Sequence, residues 1–591
     1  MKNSNGVLKQ KKSHELLNPQ KKLGNTRHSL AHLLAAAVLK KFPNAKLGIG
    51  PAIETGFYYD FLLPRQLTSG DLKDFEETMR TMILECLRFT GKKVTPVLAK
   101  KLFKDQKFKL ELISDFTKEK KPLTVYSTGN IFMDLCRGGH VKNTSEINPD
   151  AFRLTHIAGA YWKGNEKNPQ LTRIYGVAFD SKKELEDYLM KQEEAKKRDH
   201  RRLGKDLSLF AIADEIGPGL PLFYPKGAIL RRTVENFIQD LQEKNGYEPI
   251  WIPHITKGEL YKISGHLDKY DAMYPPMKLK GEAEYYLKPM NCPHFMMLYR
   301  TRAHSYRELP IRWTATTTVY RLEKSGELSG LTRVRSLTQD DCHVFAKADQ
   351  IENEINLMLD MLEKVYGAFG FNDFRVHIST HDPKDIKKYI GERKIWKQSE
   401  KILENLIQKR SWSFEIVPGE AAFYGPKLDF IFKDVLGREW QLSTIQLDMN
   451  LPKRFELEYT DENGKRKEPI VIHRAILGST ERFLGIIVEH FAGAFPFWLA
   501  PVQVSILTIN EKTFPFAKGI ERELRKSEIR VEIDSRNETI GKKIREAEMQ
   551  KVPFILIIGD KEVAANKVAV RERGKGDLGQ KTLEEFLKIA K

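Results

Sequence analysis

The spacing of apolar residues predicts helices and strands from about residue 25 to the C-terminus. From Thr26, HSLAHLLAAAVLKKF carries apolar side chains at helical spacing, and the aromatic-rich GIGPAIETGFYYDFLL that follows is typical of strands. Strand and helix candidates continue to about Asp180, so we expect an α+β domain over residues 25–182. Residues 1–24 are rich in Lys, Asn and Gln and lack this periodicity, which predicts a mobile basic tail.

Two further domains are expected beyond a polar segment. Residues 183–204 are polar with helical character and predict a linker helix. Residues 205–500 contain the strand-like runs PIWIPHI, RVHIST and KLDFIF, and the helical run ADQIENEINLMLDMLEKVYGAFG, which a glycine closes. After Pro501, the strand candidates VQVSILTI, IRVEIDS and PFILIIGDKE alternate with helices, which predicts a small α/β domain over residues 501–591.

The net charge points to a polyanionic partner. The chain has 591 residues, of which 98 are Lys or Arg and 79 are Asp or Glu, so its formal charge is +19. Residues 1–200 carry +13 of this charge, residues 201–500 carry +2 and residues 501–591 carry +4. Such an excess favours nucleic acid, although a well-solvated surface is the alternative interpretation.

Cysteine content and hydropathy indicate a soluble cytoplasmic protein with no membrane partner. Four cysteines in so long a chain exclude a disulfide scaffold and fit a reducing compartment. The N-terminus lacks an apolar signal core. The most apolar stretch, FLGIIVEHFAGAFPFWLAPVQVSIL, is interrupted by Glu489, His490 and two prolines, so it predicts a buried helix leading into a strand.

Two arginine-containing runs suggest a phosphate site. VYRLEKSGELSGLTRVRSLTQDDCHVF places Arg321, Glu323, Arg333 and Arg335 around a Gly/Ser-rich turn, where paired guanidinium groups suit phosphate or carboxylate. HRAILGSTERFLGIIVEHF opens a helix with Arg482 in its first turn, which is unfavourable unless the arginine binds an anion. Each run alone is also compatible with a solvated surface, but their combination favours a site.

These runs closely resemble the threonyl-tRNA synthetase family, and the resemblance covers nearly the whole chain. GYEPIWIP with Pro253 resembles the dimer-forming first motif of class II synthetases, the Arg321–Arg335 hairpin their second motif, and GSTERF their third. SGHLDKY, LKPMNCP, TQDDCHVF, AAFYGPKLDF, STIQLD and IHRAILGS resemble the threonyl enzymes in particular. The resemblance implies a class II antiparallel-sheet catalytic domain over residues 205–500 and a homodimer. It also implies a bacterial type that lacks the N-terminal ubiquitin-like β-grasp domain.

The resemblance further implies one catalytic Zn2+ per subunit, held by Cys292, His343 and His473. One thiolate and two imidazoles leave a fourth position open, which is the pattern of a catalytic zinc. The three residues are separated by 51 and 130 residues, and these separations are not diagnostic in themselves.

The family's other functional residues carry over to this sequence position by position. The resemblance assigns Arg321 and Arg482 to catalysis. ATP, which brings Mg2+, would bind to Arg321, Glu323, Arg333, Gln441, Thr444, Ser479 and Arg482. Threonine would bind to Met290, Gln339, Asp341, Tyr424 and Gln446. The sequence departs from the family at Leu322 and Lys324, where Asn and Pro are common, and at Leu337, where a phenylalanine usually stacks on adenine; weaker ATP binding is therefore expected.

Selection of threonine against serine calls for a second, hydrolytic site. The two differ by one methyl group, worth about 1–3 kcal/mol, so serine should enter the first site. His28 and His32 share one helix face, and Cys136 and His140 repeat their spacing, which would suit a second zinc site. The same residues, with Tyr59 and Asp134, resemble the editing domain of the threonyl family, which implies metal-free hydrolysis of seryl-tRNA(Thr).

The last domain resembles the class IIa anticodon-binding domain. SRNETIGKKIR, IIGDKE and KVAVRER place Asn537, Glu562 and Arg571 where the family reads anticodon bases. The expected function is therefore a threonine–tRNA ligase acting on ATP, L-threonine and tRNA(Thr). Two alternatives remain at this point: another class IIa enzyme such as a prolyl or seryl ligase, and a catalytically silent relative that binds RNA as a regulator.

Overall fold

A computed structural model describes residues 19–281 and 283–590. The chain divides into two compact units, an N-terminal unit that ends at Glu193 and a C-terminal unit that begins at Glu194. The first 18 residues of the expected basic tail lie outside the described residues, and the other six belong to the first helix. In the described ranges, we find no helix with the length and apolar character that crossing a bilayer requires.

The N-terminal unit is an α+β fold, as the apolar pattern predicts. Its elements are α1 (Pro19–Lys41), β1 (Lys46–Leu47), β2 (Ala52–Ile53), β3 (Gly56–Leu62), α2 (Ser69–Leu84), β4 (Phe89–Lys93), α3 (Pro96–Leu102), α4 (Lys107–Lys118), β5 (Thr124–Thr128), β6 (Phe132–Leu135), β7 (Phe152–Tyr161) and β8 (Gln170–Ala178). Strands β1, β3, β8 and β7 form an antiparallel sheet in that order, with β2 paired to β3, and β4, β5 and β6 form a second sheet. The apolar face of α1 packs on the first sheet in a core of its own, built from residues of this unit alone.

The polar segment expected as one linker helix is two helices, α5 (Lys182–Arg198) and α6 (His200–Asp206). Asp199 ends the first and caps the second, since its side chain accepts a hydrogen bond from the Arg201 amide.

The middle of the chain is built on one large sheet. Its elements are β9 (Phe210–Ala211), β10 (Leu222–Phe223), α7 (Pro225–Lys244), β11 (Glu248–Pro249), β12 (Ile255–Lys257), α8 (Gly258–Ser264), α9 (His266–Lys269), β13 (Tyr285–Leu287), α10 (Cys292–Arg300), β14 (Ile311–Tyr320), β15 (Ser336–Ala346), α11 (Ile351–Phe369), β16 (Phe374–Thr380), α12 (Arg393–Lys409), β17 (Phe414–Pro418), β18 (Lys427–Lys433), β19 (Glu439–Asp448), α13 (Leu451–Arg454), β20 (Tyr459–Thr460), β21 (Arg466–Lys467), β22 (Ile470–Ala475) and α14 (Thr480–His490). The large sheet has the order β11-β14-β15-β22-β19-β18-β16-β17 and is antiparallel except at its two edges. Helices α11 and α14 cover it through the largest hydrophobic core.

One strand expectation is wrong. PIWIPHI is not a single strand, because β11 ends at Pro249 and β12 begins at Ile255. Proline has no N–H to donate to a strand ladder, and this run contains two prolines, Pro249 and Pro253. The helix expected before a closing glycine is confirmed, since α11 ends at Phe369 and Gly370 follows it. The φ of Gly370 is +75°, the left-handed conformation that glycine adopts without strain.

The chain ends in the expected α/β domain. Its elements are β23 (Val504–Thr508), α15 (Phe514–Lys526), β24 (Val531–Asp534), α16 (Ile540–Met549), β25 (Phe554–Ile558), α17 (Asp560–Ala565), β26 (Val568–Glu572), β27 (Gly576–Lys581) and α18 (Leu583–Ile589). The sheet order is β24-β23-β25-β26-β27, in which the first three strands are parallel and the last two are antiparallel.

Candidate functional site

A cavity of about 330 Å³ lies on the large sheet, and the residues expected to bind ATP and threonine line it. These are Met290, Cys292, Arg321, Glu323, Arg333, Gln339, Asp341, Tyr424, Gln441, Thr444, Gln446, His473, Ser479 and Arg482. They come from α10, β15, β19, β22 and α14, from the turn between β14 and β15, and from three loop positions, Met290, Tyr424 and Ser479. The fold therefore brings together residues that the sequence separates by almost 200 positions.

Three arginines converge at one end of this cavity. Arg333 bonds the Glu323 carboxylate at 2.8 Å, and Arg482 donates from Nε to the carbonyl of Thr332 at 2.9 Å. Burial lowers the pKa of Arg482, and the positive charges of Arg321 and Arg333 lower it further. Like charges held together in a half-buried cavity are stabilised by an anion, so this end of the cavity suits a polyphosphate.

The helix that carries Arg482 begins in the cavity. Ser479 caps α14 by accepting a hydrogen bond from the Arg482 amide at 3.3 Å. The Gly-Ser turn therefore opens a helix there, as the sequence predicts.

Asp429 holds two residues that line the cavity, and sequence reasoning missed it. Its Oδ1 accepts hydrogen bonds from Gln441 at 2.6 Å and Thr444 at 2.9 Å, while Lys427 lies 2.8 Å from its other oxygen. Gln441 and Thr444 are thus held by a buried carboxylate. Leu337 is also buried in the cavity wall, where it packs against two valines.

Cys292, His343 and His473 come together at the cavity, which the first and last of them line, and they have the donor set of a metal centre. One ligand atom from each lies within 4.8 Å of the others, and all three residues are buried. His343 and His473 are directly opposite each other on β15 and β22. Neither ring nitrogen of His343 has a hydrogen-bond partner among the described residues, and His473 uses only Nε2, which donates to Asp448 at 2.9 Å.

The protonation of these histidines reflects their surroundings. Burial, together with His473, holds the pKa of His343 well below its usual value. Burial also opposes the charge on His473, but Cys292 and Asp448 outweigh it and raise the pKa of His473 to about 10.

The residues expected around threonine form a hydrogen-bonded wall beside this cluster. Asn291 donates to Asp341 at 2.9 Å, and Tyr424 donates to Gln446 at 2.7 Å. Burial raises the pKa of Asp341, whereas the Asn291 bond opposes the rise. Asn291 is fully buried and was missed by sequence reasoning, although it lies next to Cys292 in LKPMNCP.

A second cluster occupies the N-terminal unit. His28, His32, Cys136 and His140 each offer a ligand atom within 4.8 Å of the others. The Cys136 thiol lies 3.2 Å from His140 Nε2 and 3.5 Å from His28 Nε2. Burial raises the pKa of Cys136 to about 11 and lowers that of His140 to about 2, with His32 and His28 adding to the second shift. Neutral imidazoles of this kind can either hold a metal or accept a proton from water.

A buried lysine supports the second cluster, and sequence reasoning missed it as well. Lys109 is 1% exposed, and its Nζ lies 2.5 Å from Asp134, whose other oxygen accepts a hydrogen bond from Tyr59 at 2.6 Å. Lys109 and Asp134 line a cavity together with His28, His32 and Cys136. The expected residues Tyr59 and Asp134 thus lie in the same site as the histidines.

The three residues expected to read the anticodon lie in the last domain and differ in exposure. Asn537 is exposed before α16. Both carboxylate oxygens of Glu562 accept hydrogen bonds, from the Gly559 amide at 2.9 Å and from Gln580 at 2.7 Å. Arg571 lies on β26, and its Nε is buried with no hydrogen-bond partner in the ranges that the structure describes.

Three segments of the chain match known protein families. Residues 123–175 match the family described as threonyl and alanyl tRNA synthetase second additional domain. Residues 277–491 match the tRNA synthetase class II core domain (G, H, P, S and T), and residues 503–591 match the anticodon binding domain.

Similar whole proteins agree with these matches. The chain is 48% identical to the threonine–tRNA ligase of Rubrobacter xylanophilus over 93% of this chain and 85% of that protein. It is also 48% identical to the threonine–tRNA ligase of Dehalococcoides mccartyi over 93% of this chain and 92% of that protein.

Solved structures show the same fold. The structure titled as the RNA binding domain of threonyl-tRNA synthetase from Cryptosporidium parvum has a TM-score of 0.63 and 38% identity, and covers 66% of this chain and 97% of that chain. The putative threonyl-tRNA synthetase of Aeropyrum pernix has a TM-score of 0.58 and 29% identity, and covers 67% of this chain and 94% of that chain.

Proposed function

Because the chain belongs to the threonine–tRNA ligase family, we propose that the cavity on the large sheet joins L-threonine to tRNA(Thr), using ATP. Threonine and ATP form threonyl-adenylate and pyrophosphate, and the threonyl group then passes to the terminal ribose of the tRNA. The observation that carries this proposal is the convergence of Arg321, Arg333 and Arg482 on one half-buried cavity, where a polyphosphate relieves their mutual repulsion.

Catalysis is mainly electrostatic and positional. The threonine carboxylate attacks the α-phosphate in line with the departing pyrophosphate, and Arg321 and Arg482 stabilise the charge that develops there. Glu323 hydrogen-bonds the adenine amino group while Leu337 covers the base. The Mg2+ that accompanies ATP supplies further charge neutralisation.

Zinc fits the cluster of Cys292, His343 and His473. The fit rests on two unpartnered nitrogens of His343 and on the Asp448 carboxylate, which orients His473 as a carboxylate beside a metal-bound imidazole does. A zinc held by these three residues would supply a Lewis acid for the amino and hydroxyl groups of threonine. Asp341, Gln339, Tyr424 and Gln446, with Met290, would complete the pocket around the amino acid.

Amino-acid-dependent pyrophosphate exchange tests the ligase directly. We expect exchange with threonine, weaker exchange with serine, and none with the other standard amino acids. Exchange with proline alone would indicate a prolyl enzyme, and exchange with no amino acid would indicate an RNA-binding regulator.

We further propose that the N-terminal unit hydrolyses seryl-tRNA(Thr) without a metal, within a domain over residues 25–182. His28, His32 and His140 would orient or activate the attacking water, and Cys136 would hold two of their rings. The match to the second additional domain of threonyl and alanyl synthetases supports an editing role. Deacylation of purified seryl-tRNA(Thr) by the wild type, and its loss in His32→Ala, is the expected result.

The remaining assignments concern partners. Residues 205–500 would hold the ligase site, and residues 501–591 would read the anticodon through Asn537, Glu562 and Arg571. A homodimer is supported by an apolar groove beside Pro253, where Trp251 is 81% exposed. Sedimentation of the wild type and of Trp251→Arg tests the dimer, since the variant should sediment as a monomer. The four free thiols are consistent with a cytoplasmic location.

A further inference from the structure

A buried histidine outside the cavity connects three elements. His200 is the first residue of α6 and is 3% exposed. Its Nδ1 lies 2.6 Å from Glu489 Oε1, and the same oxygen accepts the His200 backbone N–H at 3.0 Å. Its Nε2 lies 3.0 Å from the backbone nitrogen of Leu331. The imidazole therefore bridges α14, which carries Glu489, and the turn between β14 and β15.

The partners decide where the ring carries its proton. A backbone N–H can only donate, so His200 Nε2 must offer a lone pair to Leu331. Nδ1 then carries the proton and donates it to Glu489, whose second oxygen binds Arg438. The His200 backbone N–H and both ring nitrogens each have a hydrogen-bond partner, so the orientation of the ring is fixed.

The turn that His200 holds belongs to the nucleotide end of the cavity. Leu331 precedes Thr332, whose carbonyl accepts a hydrogen bond from Arg482, and Thr332 precedes Arg333. Arg482 lies on the same helix as Glu489. Two links therefore join the turn to α14: one runs directly through Arg482, and the other through His200.

The packing around the ring leaves no space for the turn to shift toward it. A Cβ placed on Gly330, whose φ is +49°, would lie 2.2 Å from His200 Nε2. A Cβ on Gly485 of α14 would lie 3.3 Å from the Leu331 side chain and 3.6 Å from the His200 ring. The approach at Gly330 requires glycine, and the approach at Gly485 leaves little spare space, so the turn, the ring and the helix pack closely together.

We propose that His200 is a positioning residue for ATP binding: it fixes the turn of Leu331 against α14 so that Arg333 and Arg482 face one polyphosphate. His200 itself does not line the cavity. The inference rests on the proposed ligase function, because it assigns the nucleotide to these arginines.

Two variants at different ends of the link test this role by threonine-dependent pyrophosphate exchange. In His200→Asn the amide can still donate to Glu489 but cannot reach Leu331. Gly330→Ala keeps both His200 and Glu489 but forces the turn and the ring apart. Each should raise the KM for ATP about tenfold and leave the KM for threonine within about twofold, since only the phosphate end of the cavity moves.

A matched control is His304→Asn. His304 is also 3% exposed and joins a carboxylate, Glu308, to a backbone group, the Tyr299 carbonyl. Neither partner belongs to α14 or to the turn between β14 and β15. This variant should lower the thermal stability as His200→Asn does, without a selective change in the KM for ATP.

The possible results distinguish failure of the His200 proposal from failure of the ligase function. An unchanged KM for ATP in a folded variant at either position overturns the proposal, as does an equal rise in the KM for ATP and threonine. If His200→Asn fails to fold, Gly330→Ala alone decides between these outcomes. Absence of threonine-dependent exchange in the wild type would instead refute the ligase function and leave the contacts of His200 unaffected.

Discussion

His473 donates its Nε2 proton to Asp448 at 2.9 Å, so its other ring nitrogen is left toward Cys292 as a potential metal ligand. The carboxylate is buried at the end of β19, and it also accepts hydrogen bonds from the amides of Asn450 and Leu451 through its other oxygen. These bonds fix the carboxylate, which in turn fixes the orientation of the imidazole ring.

Metal content should distinguish the two ligand clusters. We expect the purified protein to contain one zinc per chain, as measured by inductively coupled plasma mass spectrometry. Cys292→Ser should lose this zinc and Cys136→Ser should keep it, because only the first residue belongs to the proposed zinc site. Two zinc ions per chain, with one lost in each variant, would show that the second cluster, which contains Cys136, also binds metal.

Asp448→Asn should weaken zinc binding without removing a ligand. Loss of a partner that orients a metal-bound histidine typically costs about 10–100-fold in metal affinity. Competition with a chelator of known affinity would measure this change. The exposed Asp349 pairs with Lys347 on the surface, so Asp349→Asn is a suitable control and should bind zinc as the wild type does.

Arg482→Ala should reduce kcat for threonine-dependent pyrophosphate exchange by about 10²–10³-fold, the range observed when one group that stabilises a developing charge is removed. Arg466 is an exposed arginine that pairs with Glu458 at 2.9 Å. Arg466→Ala should therefore keep the wild-type rate, and a comparable loss in both variants would contradict the role of Arg482.

Leu337→Phe should tighten ATP binding, because an aromatic side chain stacks on adenine where an aliphatic one only covers it. The gain of about 1 kcal/mol corresponds to a KM for ATP that is about fivefold lower. Leu337→Met keeps the volume without the ring and should leave the KM near the wild-type value. An unchanged KM in the phenylalanine variant would place the base elsewhere.

Lys109→Met should abolish hydrolysis of seryl-tRNA(Thr) while threonine-dependent exchange continues. The substitution leaves the Asp134 carboxylate buried without its cation, which typically costs about 3–5 kcal/mol. Lys163 is an exposed lysine of the same unit that pairs with Asp115 at 2.6 Å. Lys163→Met is the control, and equal hydrolysis by both variants would exclude a role for Lys109.

The sequence predicts local structure better than long-range pairing. Helix α11 is recognisable because its apolar period and its closing glycine are both local features. His343 and His473 are 130 positions apart, and only the register of β15 with β22 places one opposite the other. Their spacing therefore carries no metal signature, and the resemblance to a family was needed to select them.

Buried charged residues are also difficult to predict from sequence, because their burial depends on partners that are distant along the chain. Lys109 lies in KFKLELISDFTK, where it is one of several lysines on a helix that looks solvated in sequence. Its burial depends on Asp134, which reaches it through the pairing of β5 with β6. Asp429 and Asp448 escape sequence reasoning for this reason too, since each acts by hydrogen-bonding a residue on another strand or turn.

The hydrophobic cores of the N-terminal and C-terminal units are built from separate sets of residues. We therefore expect that heat or a core mutation can unfold the N-terminal unit while the cavity on the large sheet stays intact. Under the proposed editing role, such a variant would keep threonine-dependent exchange and lose hydrolysis of seryl-tRNA(Thr), so serine would enter at threonine codons. The expected sign of damage to this unit is then misincorporated serine, which a growth assay alone would underestimate.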